Sequence, residues 1–178
     1  MINQTAKILT TLFALAFASP IKAADPSDDA LRSELRSLGS ALLSSLPKGS
    51  HLLATCGPSE GRGYYLSPRQ EGWVDDPISA GRAIFVASAD GKPNIYFRDA
   101  RGGFVNAAED GAIITFSFID AERLSFGMIE TYPSTGVTQT YGVTKTETGE
   151  RMMLWTATKV HVSKADITKV SAYVSKCV

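Results

Sequence analysis

The stretch 112-AIITFSFIDAERLSFGMIETYPSTGVTQTYGVTKTETGERMMLWTATKVH-161 decides the fold, because apolar and polar residues alternate along most of it. A period of two is typical of strands that bury one face. Turn-forming segments interrupt the alternation at 120–123, 133–136 and 146–150. Since parallel neighbours need a crossover of a dozen or more residues, these short connections predict four antiparallel strands in up-and-down order.

The chain on either side of this meander supplies further strands. A hairpin is predicted over 82–98, whereas 57–63 is predicted to be a glycine-rich loop and 73–81 an irregular connection. The fourth meander strand, 151–162, has apolar residues on both faces and is expected to be central. The pattern predicts a mostly β protein (α+β), an antiparallel meander of seven or eight strands forming a curved sheet or a small barrel.

Apolar residues at helical spacing occur near the N-terminus, before the predicted strands. Leucines recur at positions 31, 35, 38, 42 and 46, which predicts a helix packed on the sheet. Ser27 or Asp28 is expected to cap this helix, and Pro47 to end it.

The C-terminal segment also has a helical period. Ser163 to Asp166 fits a capping box, and apolar residues then recur at 167, 170, 174 and 177. A short C-terminal helix is therefore predicted. A last strand is the alternative, because valine, isoleucine, threonine and tyrosine are frequent there.

Residues 1–23 have the parts of a secretory signal: Lys7, an apolar run over 8–18 and small residues near the expected cleavage after Ala23. The apolar run is too short to cross a bilayer, so no membrane span is expected after cleavage. Residues 24–178 would then form a single exported domain. The full chain has 18 basic and 18 acidic residues, and cleavage would remove two lysines, so the net charge would become −2. This charge favours binding to neither nucleic acid nor an anionic membrane surface.

Cys56 and Cys177 are the only cysteines. An exported chain meets an oxidising compartment, so we expect them to form a disulfide. The chain-entropy treatment gives about 5 kcal/mol for a loop of this length, as an upper figure. Two separate thiols are the alternative.

Residues 57–61, Gly-Pro-Ser-Glu-Gly, match the G-x-S-x-G pattern, in which a strained turn between a strand and a helix exposes a nucleophilic serine. The sequence that follows does not predict a helix. The only histidine downstream that could act as the base is His161, and the six aspartates between positions 75 and 120 are unranked candidates for the third member. A serine hydrolase is therefore the alternative to a non-enzymatic protein.

His51 and His161 are the only histidines, and no zinc or calcium motif is present. A site made from both histidines and Asp75 or Asp76 would need three distant segments to converge. We therefore predict neither a metal nor another cofactor.

Aromatic and acidic residues near the predicted loop form a candidate binding surface, which comprises Tyr64, Tyr65, Trp73, Asp75 and Asp76. Tyrosine and tryptophan supply rigid contact area for a partner or a sugar. A lid over one end of the sheet is the simpler explanation of the aromatic residues, because every small β domain must close its ends. Aspartates before a proline are ordinary turn formers.

Landmark residues run in the order Cys56, Gly57 to Tyr65, Trp73, Asp75 to Gly81, Asp110-Gly111, Thr140-Tyr141, Trp155 and Cys177. This order resembles that of a group of small exported proteobacterial proteins without an established activity. The resemblance implies a bacterial periplasmic or secreted location and assigns no functional residues.

These observations favour a periplasmic or secreted, non-enzymatic domain that binds a protein partner or a small ligand through its loops or the barrel mouth. A protruding loop that exposes Tyr64 and Tyr65 would favour inhibition of a cell-wall lytic enzyme. A wide apolar cavity would favour a small ligand. A structural or assembly factor of the cell envelope is a further alternative, for which an exposed apolar patch or an unpaired edge strand is expected.

Overall fold

The computed structural model of the chain describes residues 26–67, 70–79, 81–98, 102–162 and 167–178. The predicted secretory signal, residues 1–23, lies outside the described residues. Within them, one helix precedes ten strands. These elements are α1 (Pro26–Ser45), β1 (His51–Ser67), β2 (Gln70–Asp75), β3 (Arg82–Ala87), β4 (Pro93–Arg98), β5 (Phe104–Asn106), β6 (Ile113–Asp120), β7 (Ser125–Tyr132), β8 (Val137–Lys145), β9 (Arg151–Val162) and β10 (Ile167–Cys177).

The strands form one curled antiparallel sheet with the shape of a half-barrel. Nine of them follow the order β5-β4-β3-β1-β10-β9-β8-β7-β6, and β2 pairs with β1 beside this path. Strands β6 to β9 are the predicted up-and-down meander, and β9 is central because it pairs with both β8 and β10. The mostly β class and the curved sheet are confirmed.

The strand count exceeds the predicted seven or eight because β2 and β10 were not predicted as strands. In addition, β1 continues through the predicted loop at 57–63. Gly61 and Gly63 lie within its ladder to β10. A β-carbon on Gly61 would lie 2.4 Å from Cδ1 of Tyr173, so this glycine permits close packing and does not form a turn. The predicted irregular connection at 73–81 is also partly wrong, because β2 pairs with β1 as far as Asp75.

The C-terminal helix is wrong, since residues 167–177 form β10. Tyr173 and Ser175 are buried whereas Val170 and Val174 are exposed, so burial follows a period of two. β10 pairs with both β1 and β9, and two ladders satisfy its backbone groups. The predicted capping box at 163–166 lies outside the described residues.

The predicted N-terminal helix is confirmed as α1, which packs on the outer face of the sheet. Leu38 and Leu42 are buried against Ile84 and Val86. Ser27 and Asp28 lie in the first turn of α1 as the structure describes it. No helix within the described ranges is long and apolar enough to cross a bilayer.

The main core fills the concave side of the half-barrel. Phe85 packs edge-on against Phe126 and Tyr141, at ring-centre distances of 5.5 and 5.3 Å. The disulfide between Cys56 and Cys177, with an S–S distance of 2.01 Å, lies in the same cluster and confirms the predicted pairing.

Candidate functional site: a cleft at the mouth of the half-barrel

One end of the half-barrel opens into a cleft of about 400 Å³, which we call the mouth cleft. It lies where β1, β7 and β9 begin and β6 ends. The residues that line it are Leu52, Leu53, Ala87, Gly91, Phe116, Ile119, Asp120, Ala121, Leu124, Ser125, Phe126 and Arg151. Its volume is within the range of small-molecule binding sites.

A bulge in β6 provides part of the apolar wall. Before the bulge, Ile114 and Phe116 pack against the inner core. The ladder to β7 shifts between Phe116 and Phe118, and Ile119 then lines the cleft with 63% of its surface exposed. Bulges re-aim side chains in this way, often next to functional sites.

Leu124, in the turn between β6 and β7, has a positive φ of 50°. It is the one non-glycine residue with a positive φ in the described ranges. A bulky residue in the left-handed region costs of the order of 1 kcal/mol or more, and such residues cluster at functional sites. Leu124 is about half exposed, and its side chain forms part of the cleft wall.

Arg151 is a charged side chain in this otherwise largely apolar cleft. Its Nη2 donates a hydrogen bond of 3.2 Å to the carbonyl oxygen of Leu124, and its guanidinium carbon lies 5.9 Å from the centre of the Phe126 ring. Its Nε is buried and has no hydrogen-bond acceptor in the part of the chain that the structure describes. A buried donor without an acceptor costs about 1–3 kcal/mol. Burial also lowers the pKa of Arg151 from its ordinary value.

Asp120 is the acidic side chain in the cleft wall. Its Oδ2 lies 3.7 Å from Nε of Arg123, and its Oδ1 accepts a hydrogen bond of 3.1 Å from the Arg123 backbone N–H. Glu150, beside Arg151 in sequence, pairs instead with Arg32 and Lys176, at 3.1 and 3.7 Å. Neither carboxylate pairs with Arg151, so within the described ranges the positive charge of Arg151 has no counter-charge.

The predicted binding surface is divided between the two faces of the sheet. On the outer face, Tyr64 meets Trp73 edge-on at 5.5 Å, and Arg62 pairs with the exposed Asp75 at 3.2 Å. Tyr65 and Asp76 belong to the inner face. These residues lie on strands or beside them and not on a protruding loop, so the geometry expected of an inhibitor of lytic enzymes is not observed.

Asp76 and Lys169 form the centre of a polar cluster on the inner face, away from the mouth cleft. The Lys169 ammonium and the Tyr173 hydroxyl donate to Asp76, and Lys169 also donates to the Tyr65 hydroxyl at 2.9 Å. Burial would raise the pKa of Asp76, but the hydrogen bonds from Lys169 and Tyr173 hold it below its ordinary value. The hydrogen bonds that Lys169 donates to Asp76 and Tyr65 raise the pKa of Lys169 against the effect of burial. The cluster is internally paired and ties β2 to β10.

Ser59 lies in the middle of β1 and not on a strand-to-helix turn. It is 5% exposed, and its Oγ accepts a hydrogen bond of 3.1 Å from Nε1 of Trp155. The neighbouring cavity has a volume of about 70 Å³, too small for most substrates. The side chain of His161 lies outside what the structure describes. This geometry does not favour the serine hydrolase alternative.

No family model, curated protein or solved structure matches this chain. In the described part of the chain, no group of three His, Cys, Asp or Glu side chains could hold a metal ion. The cleft offers apolar walls, the guanidinium of Arg151 and the carboxylate of Asp120, which is engaged by Arg123. This lining suits binding of a small molecule.

Arg151 is the site residue that the sequence analysis missed, although a signal was present. It shares its strand face with Met153 and Trp155, which are core residues, so a charge at this position is unusual. Glu130 is also a charged residue on a strand face that packs in the core, because it shares its face with Phe126 and Met128 and is fully buried. Leu124 could not have been recognised, since its strained backbone depends on how the turn packs.

Proposed function

We propose that this chain is an exported, non-enzymatic domain that binds a small, largely apolar ligand in the mouth cleft. The observation that carries the proposal is an open cleft of about 400 Å³, lined mostly by apolar side chains from several separate strands and turns. Ligand sites are concave and mostly apolar, with few polar groups to fix orientation, and they occur preferentially in the mouths of β-barrels. The strained Leu124 in the cleft wall supports the same site.

Export is part of the proposal. A disulfide that closes a long loop suits an oxidising compartment such as the periplasm or the medium outside the cell. The apolar N-terminal segment of the sequence also supports this location.

The test uses the processed chain, residues 24–178, and the uncharged apolar dye Nile red. We expect its fluorescence to rise and saturate on titration with the protein. Ala121→Trp would fill the cleft from the β6–β7 turn and weaken Nile red binding by at least tenfold. Ala108→Trp is the matched control, because Ala108 is also exposed in a turn but lies away from the cleft, and this variant should bind like the wild type. Absence of saturable binding, or wild-type binding by Ala121→Trp, would contradict the proposal.

A protein partner on the outer face is the second candidate, because Trp73 there is 56% exposed beside Tyr64. Nearby on this face, Leu154 and Val170 are 58% and 49% exposed. A pull-down from envelope extract under non-reducing conditions separates the candidates. If a retained protein is lost with Trp73→Ser but kept with Ala121→Trp, the outer face is the working surface.

A further inference from the structure

We propose that the ligand of the mouth cleft is an acyl-chain carboxylate whose carboxylate binds Arg151. This inference rests on the proposed function, since it identifies the chemical class of the molecule that occupies the same cleft.

The position of Arg151 supports an anionic head group. Arg151 is the first residue of β9 and lines the cleft. Its Nη2 is fixed to the Leu124 carbonyl oxygen, while its Nε has no acceptor in the described residues. The guanidinium is therefore held in place at the cleft wall, with no counter-charge among the described residues. Planar guanidinium groups match carboxylates well, so a carboxylate in the cleft would bind against it.

The charges around the cleft support an anion and not a cation. Asp120 is engaged by Arg123. Glu150 is engaged by Arg32 and Lys176. Of the described residues, none has a recorded ion pair with Arg151. An anionic ligand would therefore supply the missing counter-charge, whereas a cationic ligand would be repelled in a partly desolvated site.

The walls of the cleft support an apolar tail attached to this head group. Phe116, Ile119 and Leu124 line it together with Leu52 and Leu53. Ile119 and Leu124 are more than half exposed without a ligand, so a tail would remove apolar surface from water. A single cation among apolar walls fits a molecule with one charged end and not a sugar or a multiply charged anion.

The test uses two probes with twelve-carbon chains, each titrated below its critical micelle concentration into the wild-type processed chain. Dodecanoate, whose chain includes the carboxyl carbon, is an anion, and dodecyltrimethylammonium is a cation. Acetate is a head group without a tail. Competition with Nile red gives the affinities. We expect dodecanoate to bind at least tenfold more tightly than dodecyltrimethylammonium, and acetate not to compete. Equal affinities for the two dodecyl probes would overturn the inference.

Two variants test whether Arg151 is responsible for the preference for dodecanoate over dodecyltrimethylammonium. Arg151→Met should abolish the preference for dodecanoate, whereas Arg36→Met removes the same charge from the exposed side of α1 and should keep it. Arg151→Met with an undiminished preference would overturn the role of Arg151. The comparison of probes on the wild type decides the inference even if Arg151→Met does not fold.

The two proposals fail in different ways. Wild-type protein that binds Nile red but does not prefer dodecanoate retains the proposed function and loses this inference. Wild-type protein that binds neither Nile red nor dodecanoate loses both.

Discussion

Arg151 lies directly opposite Cys177 across the β9–β10 pair, and Cys177 lies directly opposite Cys56 across the β10–β1 pair. One row of the sheet therefore contains both halves of the disulfide and the cation of the mouth cleft. The disulfide joins β10 to β1 at the end of the half-barrel where the cleft opens. This arrangement connects the stability of the fold to the shape of the candidate site.

Reduction of the disulfide is expected to lower the free energy of unfolding by several kcal/mol, because the unfolded chain regains the freedom of a 121-residue loop. About 5 kcal/mol is the upper figure for a loop of this length. Urea unfolding of the processed chain with and without dithiothreitol measures the effect. A variant with both Cys56→Ser and Cys177→Ser should be insensitive to dithiothreitol. An unchanged wild-type midpoint under reduction would contradict the prediction.

Asp76→Asn is expected to lower the free energy of unfolding by about 2–3 kcal/mol at neutral pH, since Lys169 and Tyr173 lose a charged acceptor. Hydrogen bonds hold the pKa of Asp76 below its ordinary value. Its contribution is therefore present above the pKa of the unfolded chain and is lost as pH falls through the folded pKa. The difference from the wild type should shrink in acid.

Asp75→Asn is the matched control for this prediction. The Asp75 side chain is 87% exposed in its pair with Arg62, and exposed ion pairs contribute about 1 kcal/mol or less. Urea midpoints at several pH values compare both variants with the wild type. If both variants lose the same stability at neutral pH, the Asp76–Lys169 cluster does not hold β2 as described.

Gly61→Ala is expected to destabilise the protein by about 1–3 kcal/mol through steric overlap. Its β-carbon would lie 2.3 Å from the Ala172 carbonyl oxygen and 2.4 Å from the Tyr173 ring, so the β1–β10 ladder would have to open. A β-carbon on Gly103 would meet no heavy atom within 4 Å, so Gly103→Ala should change stability little. Thermal unfolding of the two variants checks the prediction. Equal melting temperatures would show that β1 and β10 do not pack this closely.

Glu130→Gln is expected to remove part of the pH dependence of stability. Glu130 is fully buried and accepts hydrogen bonds from Tyr141, Gln139 and Tyr132, at 2.7, 2.8 and 2.9 Å. Burial nevertheless raises its pKa above the ordinary value. The folded state therefore holds the proton more tightly, so stability is greatest below the unfolded pKa and falls as pH rises through the folded pKa.

Urea unfolding between pH 4 and pH 8, a range chosen around the ordinary carboxyl pKa, measures this contribution. Over that range the wild type should lose more stability with rising pH than Glu130→Gln does. Parallel pH profiles for the two proteins would show that Glu130 ionises as it would in the unfolded chain.

The sequence alone predicted the meander, the N-terminal helix and the disulfide. In β7 and β8 the side chains that alternate inward, among them Phe126, Met128, Tyr141 and Val143, are buried in the structure. The prediction of the meander was correct because the strand period and the length of a hairpin turn are local properties of the sequence. The cysteine pairing followed from composition, since only two cysteines were available.

Predictions that depended on long-range neighbours were wrong. Glycines at 61 and 63 suggested a loop, but Tyr173 and Ser171 approach them from the other end of the chain. Residues 167–177 fit both a helical and a strand pattern. Their place between β1 and β9 decided the outcome, because a strand there gains two ladders of hydrogen bonds.

The sequence by itself determined that this chain forms an antiparallel sheet with an outer helix, because local periodicity specifies which side chains are buried. Only the tertiary structure decided where the mouth cleft lies and that Arg151 points into it. The cleft is built from segments far apart in sequence, and an unpaired charge becomes visible only when its surroundings are assembled.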